Sequence, residues 1–317
     1  MRDNYYLSLL KRRGLTFILI VTIFYILLVF YSDANRLLAN LHSITLHFIL
    51  LILLSITASI LLGSIRQLLL LKAMDIKLSF RQNLTLYLAG LSMVVTPGSL
   101  GQMIKSHYLE RNYNQNLLRT LPLALVERYY DVLAMLSFIV ISMAVYNIVI
   151  LLVPVLILTS LLAVITLVVK HHGLLHFFQR HLVLKIGFFK KHEMNSIEFQ
   201  KTLSFLLTKK IMTCAFSLSM AAWFFEAIGI FLCFNALKID LNFGLTTAFG
   251  FSSVLLGAIS FIPGGAVVTE LSFVQLLSRY GYEISTATAL VLLMRLSTLW
   301  YSTVIGIIAT RIIIKNR

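Results

Sequence analysis

Apolar runs of about twenty residues succeed one another along this chain, and nothing else in it constrains the fold as much. A bilayer offers the backbone no water, so such segments must close their N–H and C=O groups within themselves, as helices do. About six full transmembrane spans are readable, at about 14–31, 46–71, 120–145, 148–169, 211–235 and 284–310. Composition agrees. Of the 317 residues 59% are apolar and 12% charged, and the mean hydropathy is +0.91, too little polar surface for a soluble globule. No stretch remains for a separate soluble unit, so residues 1–317 read as a single integral membrane domain of all-α, polytopic type.

Two further apolar stretches are interrupted. Thr96-Pro97-Gly98 breaks residues about 84–104, and Ile262-Pro263-Gly264-Gly265 breaks residues about 243–278. Proline removes a backbone donor and crowds the preceding turn, so each break frees polar backbone that must be buried in protein or face water. Each stretch is expected to enter and leave by one face, as a re-entrant hairpin; two complete crossings are hard to fit into so few residues, although the second stretch is long enough to keep that reading open. On that path Lys72, Lys77, Arg81, Lys105, Arg111, Arg119, the basic cluster from Lys170 to Lys210 and both chain ends fall on one side. Arg36, Lys238 and Arg279 fall on the other. The positive-inside rule makes the crowded side cytoplasmic, with the N- and C-termini there, and the expected location is the plasma membrane. The same excess explains the net charge of +15 without nucleic acid. Lys11-Arg12-Arg13 flank the first span as in a retained signal anchor. Cys214 and Cys233, nineteen residues apart on one expected helix, are too distant to bond to each other.

Pro97 and Pro263 are 166 residues apart, Gly63 and Gly229 likewise, and Arg128 and Arg295 are 167 apart. Residues about 46–145 and about 211–310 would then run through the membrane in opposite senses, the inverted-repeat pattern of secondary transporters. Between them, residues about 170–210 alternate apolar and basic side chains and read as a cytoplasmic amphipathic linker on anionic lipid. His171, His172, His176 and His181 have no carboxylate or cysteine at ligand spacing and read as interfacial basic residues. No metal or other cofactor is implied.

Past each break a half-helix is expected to restart, roughly at Ser99 and at Ala266, with its free N–H groups and positive dipole end toward the bilayer middle. Arg128 and Arg295 fall about 12 Å and about 16 Å inside their helices, near the midplane. A lone cation at that depth costs at least about 3 kcal/mol, so each needs a partner or a wet cavity. Glu127, Asp131, Glu226 and Glu270 are the embedded acids available as salt-bridge partners or coupling groups. Internal pairs, Arg128 with Asp131 and Arg295 with Glu270, are the plainer reading. A head-group site of Arg128, Arg295, Lys105, Gln102 and Glu270 is the functional one. Lys105 reads equally well as a lysine snorkelling to the interface. Glu226, one turn from Trp223, reads as a proton carrier or as a neutral buried acid.

These residues also carry a resemblance. Pro97-Gly98-Ser99-Leu100-Gly101-Gln102, Lys105 and Glu127-Arg128-Tyr129-Tyr130-Asp131 resemble the first motif block of the lysylphosphatidylglycerol synthase transmembrane region family of flippase-like domains. Pro263-Gly264-Gly265, Glu270, Gly281 and Arg295 resemble its second block. The chain departs from the pattern at Gln102, where the family usually has Glu, and at Ala266-Val267-Val268, which replaces a more glycine-rich run. The resemblance implies movement of phospholipids or polyprenyl-linked lipids between leaflets. Some members are fused to a soluble aminoacyl-transferase, and this chain shows no such domain, so lysyl transfer is not implied.

The leading expectation is a non-enzymatic lipid translocase for an anionic head group. Membrane lipids are its partners, and lipid-synthesis enzymes the protein partners such a role suggests. No G-x-x-x-x-G-K-[ST] loop is present, so the movement is expected to be secondary or downhill rather than driven by ATP. An intramembrane lipid-modifying enzyme and a non-catalytic subunit of a lipid or cell-envelope synthesis complex are the rival classes.

Overall fold

The computed structural model describes residues 44–170 and 196–315, with Asn35, Ala39 and His42 as isolated positions. The expected span at 14–31, both extreme termini and most of the linker, including His171, His172, His176 and His181, lie outside the described residues. Among the described residues every regular element is helical. Four runs are long and apolar enough to cross a membrane: α1 (Leu46–Ala73), α4 (Leu117–Tyr146), α7 (Lys209–Ala236) and a run over Ile284–Lys315. The last comprises α10 (Ile284–Arg295), a π-helical segment (Leu296–Trp300) and α11 (Tyr301–Lys315). The chain is an all-α integral membrane protein. The expected span at 148–169 appears as one 3-10 turn, Val149–Leu151, followed by α5 (Leu152–Lys170). A short helix, α6 (Ser196–Leu206), precedes α7 and packs on α4.

Both proline-glycine sites interrupt their helices. In the first half α2 (Phe80–Leu91) starts at a capping box, in which Ser79 Oγ accepts from the N–H of Gln82 and Gln82 Oε1 accepts from the N–H of Ser79. After the break come a 3-10 segment (Pro97–Met103) and α3 (Ile104–Tyr113). In the second half α8 (Phe243–Ile259), a 3-10 turn (Pro263–Gly265) and α9 (Val268–Arg279) follow one another. The α-helices restart later than Ser99 and Ala266, because Ser99 and Val267 hold positive φ values of 56° and 73° that no continuous right-handed helix accommodates. Thr96 organises the first break: its hydroxyl oxygen accepts the N–H of Gly101 at 2.7 Å.

Packing relates the two halves. α1 lies along α7 in the largest helix–helix contact. α2 packs on α11 while α8 packs on α4; α1 meets α2 as α7 meets α8; α3 meets α4 as α9 meets α10. The two breaks touch each other, with Gly264 against Val95. Exchanging residues 46–146 for 209–315 leaves this set of neighbours unchanged. The α2–α11 contact depends on Gly306, where a Cβ would run into the backbone of Leu88, Leu91 and Ser92.

Candidate functional site

A cavity of about 590 Å³ opens where the two breaks meet. Thr96 and Ser99 of the first break and Ile262, Gly264 and Gly265 of the second line it, between walls supplied by α1, α4, α7 and α10. Proline and glycine at these places leave carbonyls and amides off the helical ladder, and the cavity wall is where that polarity is spent.

Asp131 of α4 organises the charged wall. Its Oδ1 accepts from Arg66 Nη1 of α1 and, at 3.0 Å, from Trp223 Nε1 of α7. Its Oδ2 lies 3.1 Å from Arg128 Nη2. Arg66 also donates to Ser219 Oγ at 2.6 Å. Two guanidiniums therefore share one carboxylate, and this cluster carries an excess positive charge. The two arginines differ in access: the Arg66 side chain is 1% exposed, that of Arg128 31%. Arg128 Nη2 also donates to Gln102 Oε1 at 3.0 Å. Arg128 Nε and Gln102 Nε2 are buried donors without a protein partner, and both residues line the cavity. Unspent donors beside an excess positive charge suit an anionic ligand with several acceptor oxygens.

The second arginine is held differently. Arg295 Nε donates to Glu270 Oε1 at 2.8 Å, and its Nη2 donates to the carbonyl of Gly264 in the break. A guanidinium thus satisfies a backbone oxygen that the proline-glycine break releases. The π-helical segment begins one residue later, so the helix changes pitch just beyond this anchor.

A model of the lysylphosphatidylglycerol synthase transmembrane region matches residues 16–306 of the chain. The chain belongs to this family. A UPF0104 membrane protein of Methanocaldococcus jannaschii is 25% identical over 226 residues, which cover 70% of this chain and 94% of the archaeal one.

In this member of the lysylphosphatidylglycerol synthase transmembrane region family, Arg128, Arg295, Gln102, Asp131 and Glu226 all line the one cavity. Lys105, Glu127 and Glu270 do not; they lie behind its wall. Lys105 does not snorkel. It is 1% exposed, its Nζ donates to Glu127 Oε2 and, at 2.9 Å, to Gln67 Oε1, and it sits 5.5 Å from the centre of the Tyr87 ring. Both pairs anticipated from sequence, Arg128–Asp131 and Arg295–Glu270, are present. Trp223 addresses Asp131 rather than Glu226, which accepts instead from Ser59. Sequence reasoning missed Arg66, although Ser64, Arg66 and Gln67 form a polar patch inside an apolar span and so carry the same warning as Arg128.

Proposed function

We propose that this protein moves an anionic phospholipid or a polyprenyl-phosphate-linked lipid between leaflets, its head group passing through the cavity between the two breaks while its hydrocarbon stays in lipid. The observation that carries this reading is the Arg66–Asp131–Arg128 cluster, which turns excess positive charge and unspent donors toward a cavity at the junction of the two halves. Arg128 and Gln102 meet the phosphate, Arg66 and Asp131 hold Arg128 in place, and Arg295, pinned by Glu270, completes the far wall. Glu226, which lines the cavity and has no ion-pair partner among the described residues, is the group available for coupling to protons. No ATP site and no catalytic step belong to this reading.

The membrane arrangement is part of the proposal. Helices of 12 and 10 residues flank the first break and of 17 and 12 the second, spans of about 18, 15, 26 and 18 Å, each short of a hydrocarbon core about 30 Å thick. Two such hairpins that touch at their breaks fit re-entry from opposite faces. The exchange symmetry of the helix contacts fits an inverted repeat, about six full spans and cytoplasmic termini in the plasma membrane.

The test is reconstitution in vesicles with labelled phosphatidylglycerol. The wild-type protein is expected to translocate it, and Arg128→Ala to fall to the rate of protein-free vesicles while remaining folded. Gln102→Glu, which adds a carboxylate beside Arg128 and cancels the excess charge, is expected to slow anionic lipid by about tenfold, the effect of losing roughly 1.4 kcal/mol of binding. Full activity in both variants removes the site. A chemically altered lipid would point to an enzyme, and neither movement nor alteration to a subunit role.

A further inference from the structure

The head-group cavity leads sideways. From Arg128 and Asp131 its lining continues past Tyr129 to Leu158, Leu162 and Thr166 of α5. There it meets a second, shallow cavity of about 540 Å³ between α4 and α5, and Tyr129, Leu162 and Thr166 line both. The wall of the second is mostly apolar, with Leu133, Leu136, Val140 and Ile141 on α4 and Ala163 on α5, and its polar groups are the hydroxyls of Tyr129, Ser137, Thr159 and Thr166. From Tyr129 to Ile141 it follows α4 for about 18 Å, close to the thickness of one leaflet's hydrocarbon. Val140 and Ile141 are exposed at its outer margin, and on a helix long enough to cross the membrane that exposure faces acyl chains.

A polar contact marks the junction. Thr166 Oγ1 donates to the carbonyl of Leu162 at 2.7 Å, so it accepts from Tyr129 Oη, 3.1 Å away. Among the described residues this is the one side-chain hydrogen bond between α4 and α5. The helices are otherwise joined by apolar contact, which surrounding lipid can replace with little loss. By contrast, α1, α4 and α7 are tied together through Arg66, Asp131, Ser219 and Trp223. Among the described residues the α4–α5 seam thus has a single side-chain polar link to break.

We infer that the groove between α4 and α5 holds the hydrocarbon tail of the lipid whose head group occupies the cavity, and that the Tyr129–Thr166 hydrogen bond is the latch that parts when the lipid enters or leaves sideways. The inference rests on the proposed function and adds a tail-binding site and a lateral portal to it. The occupant is an acyl or prenyl chain because the groove joins the charged cavity end to end, carries no charged side chain along its length and opens where hydrocarbon lies.

The full chain in phosphatidylcholine vesicles tests this with two photoreactive phosphatidylglycerols, one carrying a diazirine midway along an acyl tail and one carrying it on the head group. Tail labelling is expected to concentrate on the facing stretches of α4 and α5, around residues 133–141 and 159–166. Ala163→Trp should reduce it to the level of the other lipid-facing helices. Ser137→Trp fills the same groove from α4 and serves if Ala163→Trp elutes as aggregate. Tyr129→Phe, which removes the latch but leaves the ring, should speed release of bound lipid. Tail label spread evenly over the exposed faces of α1, α7 and α11, or unchanged by both tryptophans, overturns the groove. So does a protein cross-linked over it, whether a second copy or another chain. Head-group label near Arg128 with scattered tail label sinks the groove alone, whereas absence of both sinks the proposed function with it.

Discussion

The two halves fasten their breaks with the same device and opposite charges. In the first, Lys105 on the arm after the break pairs with Glu127 on the next helix; in the second, Glu270 on the arm pairs with Arg295 on the next helix. Both pairs are buried, and both tie a short helix to a long one across an interrupted backbone. The difference lies in what is left over. The first half spends Lys105 on the fastening, which leaves Arg128, one residue beyond Glu127, to face the cavity. The second spends Arg295 itself, on Glu270 and on the carbonyl of Gly264. One arginine is presented and the other is pinned, a distinction that the matching register of Arg128 and Arg295 conceals.

The largest expected effect separates them. Arg295→Ala leaves Glu270 buried beside an unsatisfied Gly264 carbonyl, and should cost about 3–5 kcal/mol of stability. Arg128→Ala should cost far less, because Asp131 keeps Arg66 and Trp223. Thermal unfolding in detergent reads the difference. Replacing Arg295 and Glu270 together with Met and Leu should recover much of the loss, since a buried pair traded for packed apolar groups is often neutral. Equal stability losses in the two alanine variants would erase the contrast between pin and ligand.

The glycines behind the arms differ as well. Gly90 of α2 and Gly257 of α8 are 167 residues apart, the register of the two arginines, and each is covered by its own second arm. A Cβ at Gly90 would press on the Lys105 stem, at 2.7 Å from Cδ and 2.9 Å from Cγ, and a stem can bend. A Cβ at Gly257 would strike Thr269 Oγ1 and lie 3.2 Å from the backbone of Gly265, which cannot yield without moving the break. Gly257→Ala is expected to cost about 1–3 kcal/mol and Gly90→Ala less, again read by thermal unfolding. The reverse order would mean that the first break is the more tightly packed.

Much of this was legible in the sequence, for a physical reason. Proline and glycine in an apolar run have few outcomes in a bilayer, so Pro97 and Pro263 announced the interruptions, and Arg128 and Arg295 announced buried charge. Arg66 escaped because it lies only seven residues before the end of α1, where a basic side chain passes for one that reaches the interface. Its partners, Asp131 and Ser219, are 65 and 153 residues away, and no local pattern encodes pairs at such separations. The placement of Lys105, Glu127 and Glu270 behind the wall, with Gln102 on it, depends on how each helix is rotated, which short polar-apolar patterns do not settle. The 3-10 turns and the π-helical segment were not anticipated either, since an apolar run reads the same whatever the local pitch of its helix.

The smallest effect contrasts the two breaks at their backbones. Val267, the residue before α9, has φ 73° and ψ −56°, the γ-turn region that is strained for any side chain and most for a β-branched one. Such strain costs of order 1–3 kcal/mol. Glycine relieves it but loses about 0.5–1 kcal/mol through the greater freedom of the unfolded chain. Val267→Gly should therefore raise stability slightly, by up to about 1 kcal/mol. Ser99, the positive-φ residue of the first break, is secured by its own hydroxyl, which donates to the carbonyl of Val94 at 3.1 Å. Ser99→Gly removes that bond as well as the steric cost, so its effect should be near zero or slightly destabilising. Opposite signs for the two substitutions in one thermal series would show that the second break stores strain which the first does not, and a loss of stability in Val267→Gly would refute it.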